Sequence, residues 1–177
     1  MMQAFFKKYS SLLLTVSLVV SFDQWSKWLV RTNLPLNDAW LPDWLLWLSP
    51  YARFVFIYNK GAAFGMFQNG NMIFTIVALV VAGGVIYFYG QIDPEDQPLR
   101  LAAGLYLGGV LGNLIDRLTL GQVTDFISVG TFYIFNVADA SINIGVALLL
   151  IGYWWSERKK TKLPSVDGML SDKGQTP

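Results

Sequence analysis

Four long apolar stretches dominate the pattern of hydrophobic and polar positions along the chain. A helix needs about 20 apolar residues to cross the roughly 30 Å of hydrocarbon in a bilayer. One stretch, 72–90, contains no charged residue, whereas the others carry charges only near their ends. The pattern therefore predicts four transmembrane helices, at residues 11–30, 72–90, 99–118 and 137–155.

The first stretch has a second interpretation, because Lys7 and Lys8 precede an apolar segment as they would in a cleaved signal peptide. No small-x-small cleavage site follows that segment. Asp23 and Lys27 instead lie four residues apart, on one face of a helix. This spacing favours a retained helix over a removed leader.

The segment between the first two stretches is too long for a simple turn, and it contains Trp40, Trp44 and Trp47 at spacings of four and three. Such spacing predicts one face of a short helix lying on the membrane surface. Residues 53–58 and 123–135 are rich in aromatic and β-branched residues, which is typical of strands. The predicted fold class is a membrane all-α protein with four transmembrane helices, a small extracytoplasmic sheet and a short surface helix.

Basic residues indicate the orientation, since positive flanks tend to stay in the cytoplasm. Lys7 and Lys8 precede the first stretch, and four further basic residues follow the last: Arg158, Lys159, Lys160 and Lys162. Both termini are therefore expected in the cytoplasm, with residues 1–160 as one membrane domain and 161–177 as a disordered tail. The acidic loop 91–98 argues only weakly against this, because acidic residues contribute little to the rule.

Composition agrees with a membrane protein, since 54% of the 177 residues are hydrophobic and only 14% are charged. The chain contains no His and no Cys. A Ser-His-Asp triad, a Cys-His nucleophile and a His-rich zinc site are therefore excluded. The net charge of +1, without a basic patch interleaved with aromatic residues, makes nucleic acid an unexpected partner. No cofactor is expected.

The third stretch carries Gly104, Gly108 and Gly112, a spacing that lets helices approach closely in a bilayer. We interpret these glycines as packing positions. Asn113, Asp116 and Arg117 follow one turn later, on one face. They either anchor the helix end at the interface or belong to a functional site, and the pattern leaves both interpretations open.

Asn136, Asp139 and Asn143 form a polar stripe entering the fourth stretch. Asn136 suits an N-cap with Asp139 at the third helical position, so Asp139 has a purely structural interpretation. Polar groups in lipid are costly, however, and such a stripe usually faces a site. Asp125 lies just beyond the third stretch, near the same membrane face as Asp139. Two carboxylates without a His point to general acid and base chemistry, with a metal site as the alternative.

A loop of small residues precedes the second stretch, at residues 59–65. It is either a plain turn or a flexible segment that allows close backbone approach, with Asn59 available for hydrogen bonds.

Taken in order, five motifs resemble those of the bacterial lipoprotein signal peptidase (type II signal peptidase) family. They are Asp23-x-x-x-Lys27, Asn59-x-Gly61-x-Ala63-Phe64-Gly65, Gly108-Gly109-x-x-Gly112-Asn113-x-x-Asp116-Arg117, Val123-x-Asp125-Phe126 and Phe135-Asn136-x-Ala138-Asp139.

The resemblance implies an aspartic endopeptidase of the bacterial inner membrane that removes the signal peptide from diacylglyceryl-modified prolipoproteins, cutting just before the lipidated Cys. It implies Asp125 and Asp139 as the catalytic dyad near the extracytoplasmic face, and a structural role for Asp116. It also implies a supporting set around the active site: Asp23, Lys27, Asn59, Gly61, Asn113, Arg117, Asn136 and Ala138. The expected partners are prolipoprotein substrates and membrane lipid, and no metal is expected.

Two other functions fit parts of the pattern. Acidic residues within a membrane also mark small transporters and proton channels, although here the acids cluster at one face and the second stretch is featureless. A Ser-Lys protease using Lys27 would need a Ser that the sequence does not place beside it.

Overall fold

The computed structural model describes residues 2–61 and 70–161. Most of the described chain is helical, and a small antiparallel sheet accompanies the helices, as predicted. The helices are α1 (Met2–Asn33), α2 (Asn71–Tyr89), α3 (Gln97–Leu120) and α4 (Val137–Thr161). The strands are β1 (Ala39–Trp40), β2 (Ala52–Asn59) and β3 (Val123–Val129), with a 3-10 helix at Asp43–Leu48. The predictions for residues 62–65 and 162–177 lie outside the described residues.

Apolarity differs among the four helices. Within the described chain, α2 and α3 are long and apolar enough to cross a membrane, and α4 contributes the shorter apolar stretch Val137–Gly152. The helix α1 is continuous over 32 residues, but its apolar sequence is interrupted by Asp23, Gln24 and Lys27. Length and composition alone therefore identify two spans.

The helix α3 is central, since it packs against the other three helices. Three of its glycines lie along α1, where an added Cβ would come within 3.0 Å of an α1 side chain. The contacts advance four residues at a time on both helices, so α1 and α3 run parallel: Gly104 on Thr15, Gly108 on Val19, and Gly112 on Asp23. The packing interpretation of these glycines is confirmed.

Local sequence explains where α3 begins and ends. Asp96 is the N-cap, and its carboxylate accepts a hydrogen bond from the Leu99 backbone N–H at 3.1 Å. Gly121 ends the helix in the left-handed conformation with φ 71°. The chain then turns directly into β3, which places Asp125 close to the end of α3.

The sheet has the strand order β1-β2-β3. Strand β2 confirms the prediction for 53–58, whereas β3 is shorter than the predicted 123–135. It ends at Val129 because Gly130, with φ 55°, turns the chain. Phe135 then returns to form an isolated bridge with Ile127. This return brings the start of α4 beside β3.

The prediction of one helical face for the three tryptophans is wrong for Trp40, which lies in β1. Pro42 precedes the 3-10 helix, and the residue before a proline is disfavoured in helical conformation. Trp44 and Trp47 do lie in the short helix, three residues apart, where a 3-10 helix places side chains above one another. Both tryptophans are exposed.

Candidate active site

Asp125 is held in the middle of β3 and is only 1% exposed. Its two carboxylate oxygens accept hydrogen bonds from two asparagines. The Asn59 side-chain amide, at the end of β2, donates to Oδ2 at 3.0 Å, and the Asn136 amide donates to Oδ1 at 2.7 Å. The sheet and the start of α4 therefore fix this carboxyl group from opposite sides.

Asp139 lies in the first turn of α4 and forms a reciprocal cap with Asn136. The Asp139 backbone N–H donates to Asn136 Oδ1 at 3.0 Å, and the Asn136 backbone N–H donates to Asp139 Oδ2 at 3.1 Å. The cap prediction is confirmed. The cap uses only Oδ2 of the Asp139 carboxylate. The other oxygen, Oδ1, accepts a hydrogen bond from the Asn113 amide at 2.8 Å.

Asn136 and Asn113 join the two acids into one cluster. Besides Asp125, the Asn136 amide reaches Asn113 Oδ1 at 3.0 Å and the Thr124 carbonyl oxygen at 3.3 Å. Asn136 is fully buried and Asn113 is 5% exposed. Both acids thus accept amide N–H groups from one connected pair of asparagines, which come from α3 and from the start of α4.

Lys27 fixes the orientation of this amide pair, since its ammonium donates to Asn113 Oδ1 at 3.0 Å. The same ammonium forms ion pairs with Asp23 at 2.8 Å and Asp116 at 3.4 Å, and all three side chains are buried. An ammonium held in this way has no free lone pair to act as a base, which argues against a Ser-Lys mechanism.

Asp23 also secures α4, because its Oδ1 accepts a hydrogen bond from the Ala138 backbone N–H at 2.9 Å. Ala138 is fully buried against Gly109 and Gly112 of α3. A Cβ added at Gly109 would clash with the Ala138 carbonyl oxygen. The residue before Asp139 is therefore held by both α1 and α3.

Two further predicted residues lie at the edge of the cluster. Arg117 interacts electrostatically with Asp139 and Asp125, and its guanidinium lies over the Phe74 ring, 5.7 Å from the ring centre. The Gly61 backbone N–H donates to Asn59 Oδ1 at 3.0 Å, which turns the Asn59 amide nitrogen toward Asp125. Asn143, by contrast, is exposed, so the predicted stripe on α4 does not continue into the cluster as a row of buried groups.

The sequence analysis did not identify three residues that contact Asp116, namely Gln24, Arg31 and Thr124. It therefore underestimated how many contacts Asp116 makes. Gln24 donates to Asp116 at 3.1 Å, the Thr124 backbone N–H donates to it at 2.9 Å, and Arg31 lies 3.7 Å from it. One signal was present in the sequence: Arg31 continues the four-residue spacing of Asp23 and Lys27 along α1. Nothing in the sequence marked Gln24 or Thr124.

Burial of Asp125 and, second, the nearby charge of Asp139 raise the pKa of the Asp125 carboxyl group to about 7. The hydrogen bonds from Asn59 and Asn136 act in the opposite direction, since they favour the ionised form. Asp125 therefore exchanges its proton near neutral pH. Asp139 is partly exposed, so the two acids differ in their access to solvent.

The sequence also allowed the interpretation that Asp125 and Asp139 bind a metal ion. Among the described residues, no group of three or more His, Cys, Asp or Glu side chains is arranged to hold a metal ion. The amide and ammonium groups around the acids are donors, which oppose a cation at the same oxygens.

Two solved structures share this arrangement of helices and sheet, and both are described as bacterial membrane enzymes. One aligns with a TM-score of 0.77 at 28% identity, covering 88% of this chain and 94% of the other. The second aligns with a TM-score of 0.72 at 30% identity, covering 81% and 92%. The fold is therefore similar to that of bacterial membrane enzymes.

Sequence comparison is more specific. Residues 15–155 match the family of signal peptidase (SPase) II. The lipoprotein signal peptidase of Anoxybacillus flavithermus is 38% identical over 81% of this chain and 84% of its own. That of Symbiobacterium thermophilum is 37% identical over 86% of this chain and 98% of its own. The chain belongs to the signal peptidase II family.

Proposed function

We propose that this protein hydrolyses the peptide bond just before the lipidated Cys of diacylglyceryl-modified prolipoproteins, with Asp125 and Asp139 as an aspartic dyad. Membership of the signal peptidase II family makes it a protease that removes the signal peptides of prolipoproteins. The observation that supports the dyad is Asn136, which hydrogen-bonds to both carboxylates and so keeps the two acids in one site.

The two acids have different roles in the proposed reaction. Asp125 is buried, with a pKa of about 7, and it holds the proton. Asp139 is partly exposed, and it acts as the base that takes a proton from the attacking water. As water adds to the scissile carbonyl carbon, Asp125 donates its proton toward the carbonyl oxygen. Asp139 then gives the proton it took to the departing nitrogen, and Asp125 takes a proton back from the hydroxyl formed at the former carbonyl. The C–N bond breaks, and both acids return to their starting states.

The supporting residues position the dyad without joining the chemistry. Lys27 fixes the Asn113 carbonyl oxygen, so the Asn113 amide nitrogen is directed at Asp139. Asp23 holds the Ala138 backbone, and with it the first turn of α4. Arg117 supplies positive charge near both acids, where the substrate carbonyl would develop negative charge.

We further propose that all four helices span the membrane, in one domain of residues 1–160. The outward faces of α1 and α4 support this, since they expose large apolar side chains that lipid would cover, including Leu14, Leu18, Leu150 and Ile151. The parallel α1 and α3 then place the acids at the end of the bundle away from the N-terminus. With the basic flanks in the cytoplasm, the dyad lies near the extracytoplasmic face.

Reporter fusions test this topology. Reporters after Lys7 and after Lys162 should both report the cytoplasm, and one inserted at Asp43 should report the outside. An outside signal from either terminus would contradict four spans.

The dyad is tested by purified full-length protein acting on a lipidated precursor. Asp125→Asn or Asp139→Asn should each lower the rate by about a thousandfold or more, because each acid has its own role, and the double variant should lose little further. Glu95→Gln, in an exposed loop, is the matched control and should keep the wild-type rate. A chelator should leave the rate unchanged. Near-native cleavage by either folded single variant would refute the dyad.

A further inference from the structure

A second buried cation lies at the other end of the α1–α3 pair, far from the acids. Arg100 is 4% exposed, and its guanidinium lies over the Tyr89 ring, 4.5 Å from the ring centre. Its Nη2 donates to the Lys8 carbonyl oxygen and reaches Ser11 Oγ at 3.4 Å. Sixteen residues separate Arg100 from Asp116 on α3, which is about 24 Å along the helix axis at 1.5 Å per residue.

One side of this guanidinium has no acceptor among the described residues. Arg100 Nη1 is buried and has no hydrogen-bond partner within residues 2–61 and 70–161, and no carboxylate of those residues forms an ion pair with Arg100. A buried charged donor without an acceptor is costly, and a guanidinium is well shaped for two-point contact with a phosphate. An anionic oxygen at this position would satisfy it.

A cavity of about 860 Å³ is available for such a group. It is lined by Arg100 and Lys8, by Ser10 and Ser11, and by residues of the loop between α2 and α3. The carboxylate of Asp93 is among the described lining residues, but it already accepts the Glu95 backbone N–H at 2.9 Å. The lining thus combines two cations and one carboxylate with hydroxyl and amide groups, so cations outnumber anions.

An apolar cavity of about 650 Å³ adjoins the first and shares Gln91, Ile92 and Asp93 with it. Its walls come from α2, α3 and α4, and they include Val85, Phe88, Leu99, Tyr106 and Leu149. A polar, cationic cavity at the helix ends therefore continues into an apolar groove between the helices. A free phosphate would use only the first part, whereas a phospholipid would use both.

We propose that this composite site binds an anionic phospholipid, with the headgroup phosphate at Arg100 and Lys8 and an acyl chain in the apolar groove. Basic pockets between helices at a membrane surface bind anionic headgroups. The bound phosphate supplies the acceptor that Arg100 Nη1 lacks, and the lipid ties the ends of α1, α2 and α3 together. This site is independent of the acids and of the proposed cleavage chemistry.

The test is a titration of the purified full-length protein in neutral detergent with phosphatidylglycerol, following the midpoint of thermal unfolding. A ligand that binds only the folded protein raises this midpoint according to its Kd. Phosphatidylglycerol should raise it in a saturable way. Dioleoylglycerol, which lacks the phosphate, and inorganic phosphate, which lacks the chains, should have little effect.

Variants locate the site. Arg100→Gln should weaken the apparent Kd about tenfold, because one charge-assisted contact is lost, and the exposed Lys8→Gln should weaken it by a smaller factor. Arg53→Gln removes one exposed positive charge from β2 and should leave the Kd unchanged. If Arg100→Gln does not fold, the comparison of Lys8→Gln with Arg53→Gln decides.

Three results would overturn the proposal. The first is an unchanged Kd for Lys8→Gln together with an unchanged Kd, or no folding, for Arg100→Gln. The second is a stabilisation by inorganic phosphate equal to that by the lipid, which would indicate a soluble anion site. The third is equal stabilisation by dioleoylglycerol, which would leave no role for the phosphate.

Discussion

The two ends of the α1–α3 pair hold buried cations in different ways. At one end, Lys27 is surrounded by Asp23, Asp116 and Asn113, so its charge and all its donors are met within the chain. At the other, Arg100 has a ring, a carbonyl oxygen and a hydroxyl as neighbours, and one nitrogen without a partner among the described residues. The same helix packing thus produces a closed charge network and an open one.

The closed network suits a fixed site. Its hydrogen bonds set the direction of the Asn113 and Asn136 amides, and those amides hold Asp125 and Asp139. The open network around Arg100 suits an external ligand, because such a ligand can supply the hydrogen-bond acceptor that Arg100 Nη1 lacks among the described residues. Catalytic geometry needs the first arrangement, and lipid recognition needs the second.

Replacing each buried cation should reveal the largest difference between the two ends, and that difference is in stability. Lys27→Met leaves the buried Asp23 without its cation and Asp116 with Arg31 alone, and it should lower the free energy of unfolding by about 3–5 kcal/mol. Arg100→Met removes contacts but also a poorly partnered charge, so its cost in lipid-free detergent should be about 1–2 kcal/mol. Thermal or denaturant unfolding of both variants measures the difference. Equal costs would mean that the two cations are held alike.

A smaller effect tests the close packing that aligns the network. Gly109→Ala places a methyl group against the Ala138 carbonyl oxygen and should cost about 1–3 kcal/mol, with slower cleavage because the first turn of α4 must shift. Gly83→Ala on α2 is the matched control, since an added Cβ there meets no atom within 4 Å. It should keep or slightly raise stability and leave cleavage unchanged. Equal loss of activity in both variants would remove packing at Gly109 as the cause.

Two helix caps separate structural from positioning roles. Asn136→Ala and Asp96→Ala each remove an N-cap, which contributes about 1 kcal/mol to stability, and Asn136→Ala also removes buried hydrogen bonds. Only Asn136→Ala should also slow cleavage strongly, because Asn136 holds Asp125 as well as capping α4. A comparable slowing in Asp96→Ala would assign the effect to helix capping in general.

How far the sequence predicted these features depends on the range of the contacts involved. The cap of Asn136 with Asp139 and the packing of Gly104, Gly108 and Gly112 follow from spacings of three and four residues within one helix. Gln24 was missed because its contact with Asp116 depends on how α1 aligns with α3, and no spacing within α1 reveals that alignment. Trp40 was misplaced because the helical spacing was extended across Pro42. The grouping of Asp125 and Asp139 in one site relied on the family resemblance as much as on their place in the chain.

In the proposed mechanism Asp125 holds the proton and Asp139 acts as the base, and the pH profile of single-turnover cleavage tests this assignment most directly. Because burial and Asp139 raise the pKa of Asp125 to about 7, and because the protonated form is the acid in the proposed reaction, the rate should fall as pH rises through about 7. Asn59 stabilises the ionised form, so Asn59→Ala should raise this pKa and move the falling limb to higher pH. Asp38→Asn, at an exposed position, should leave the limb in place. A wild-type rate that is flat or rising between pH 6 and 9, or a limb that moves to lower pH in Asn59→Ala, would contradict the account.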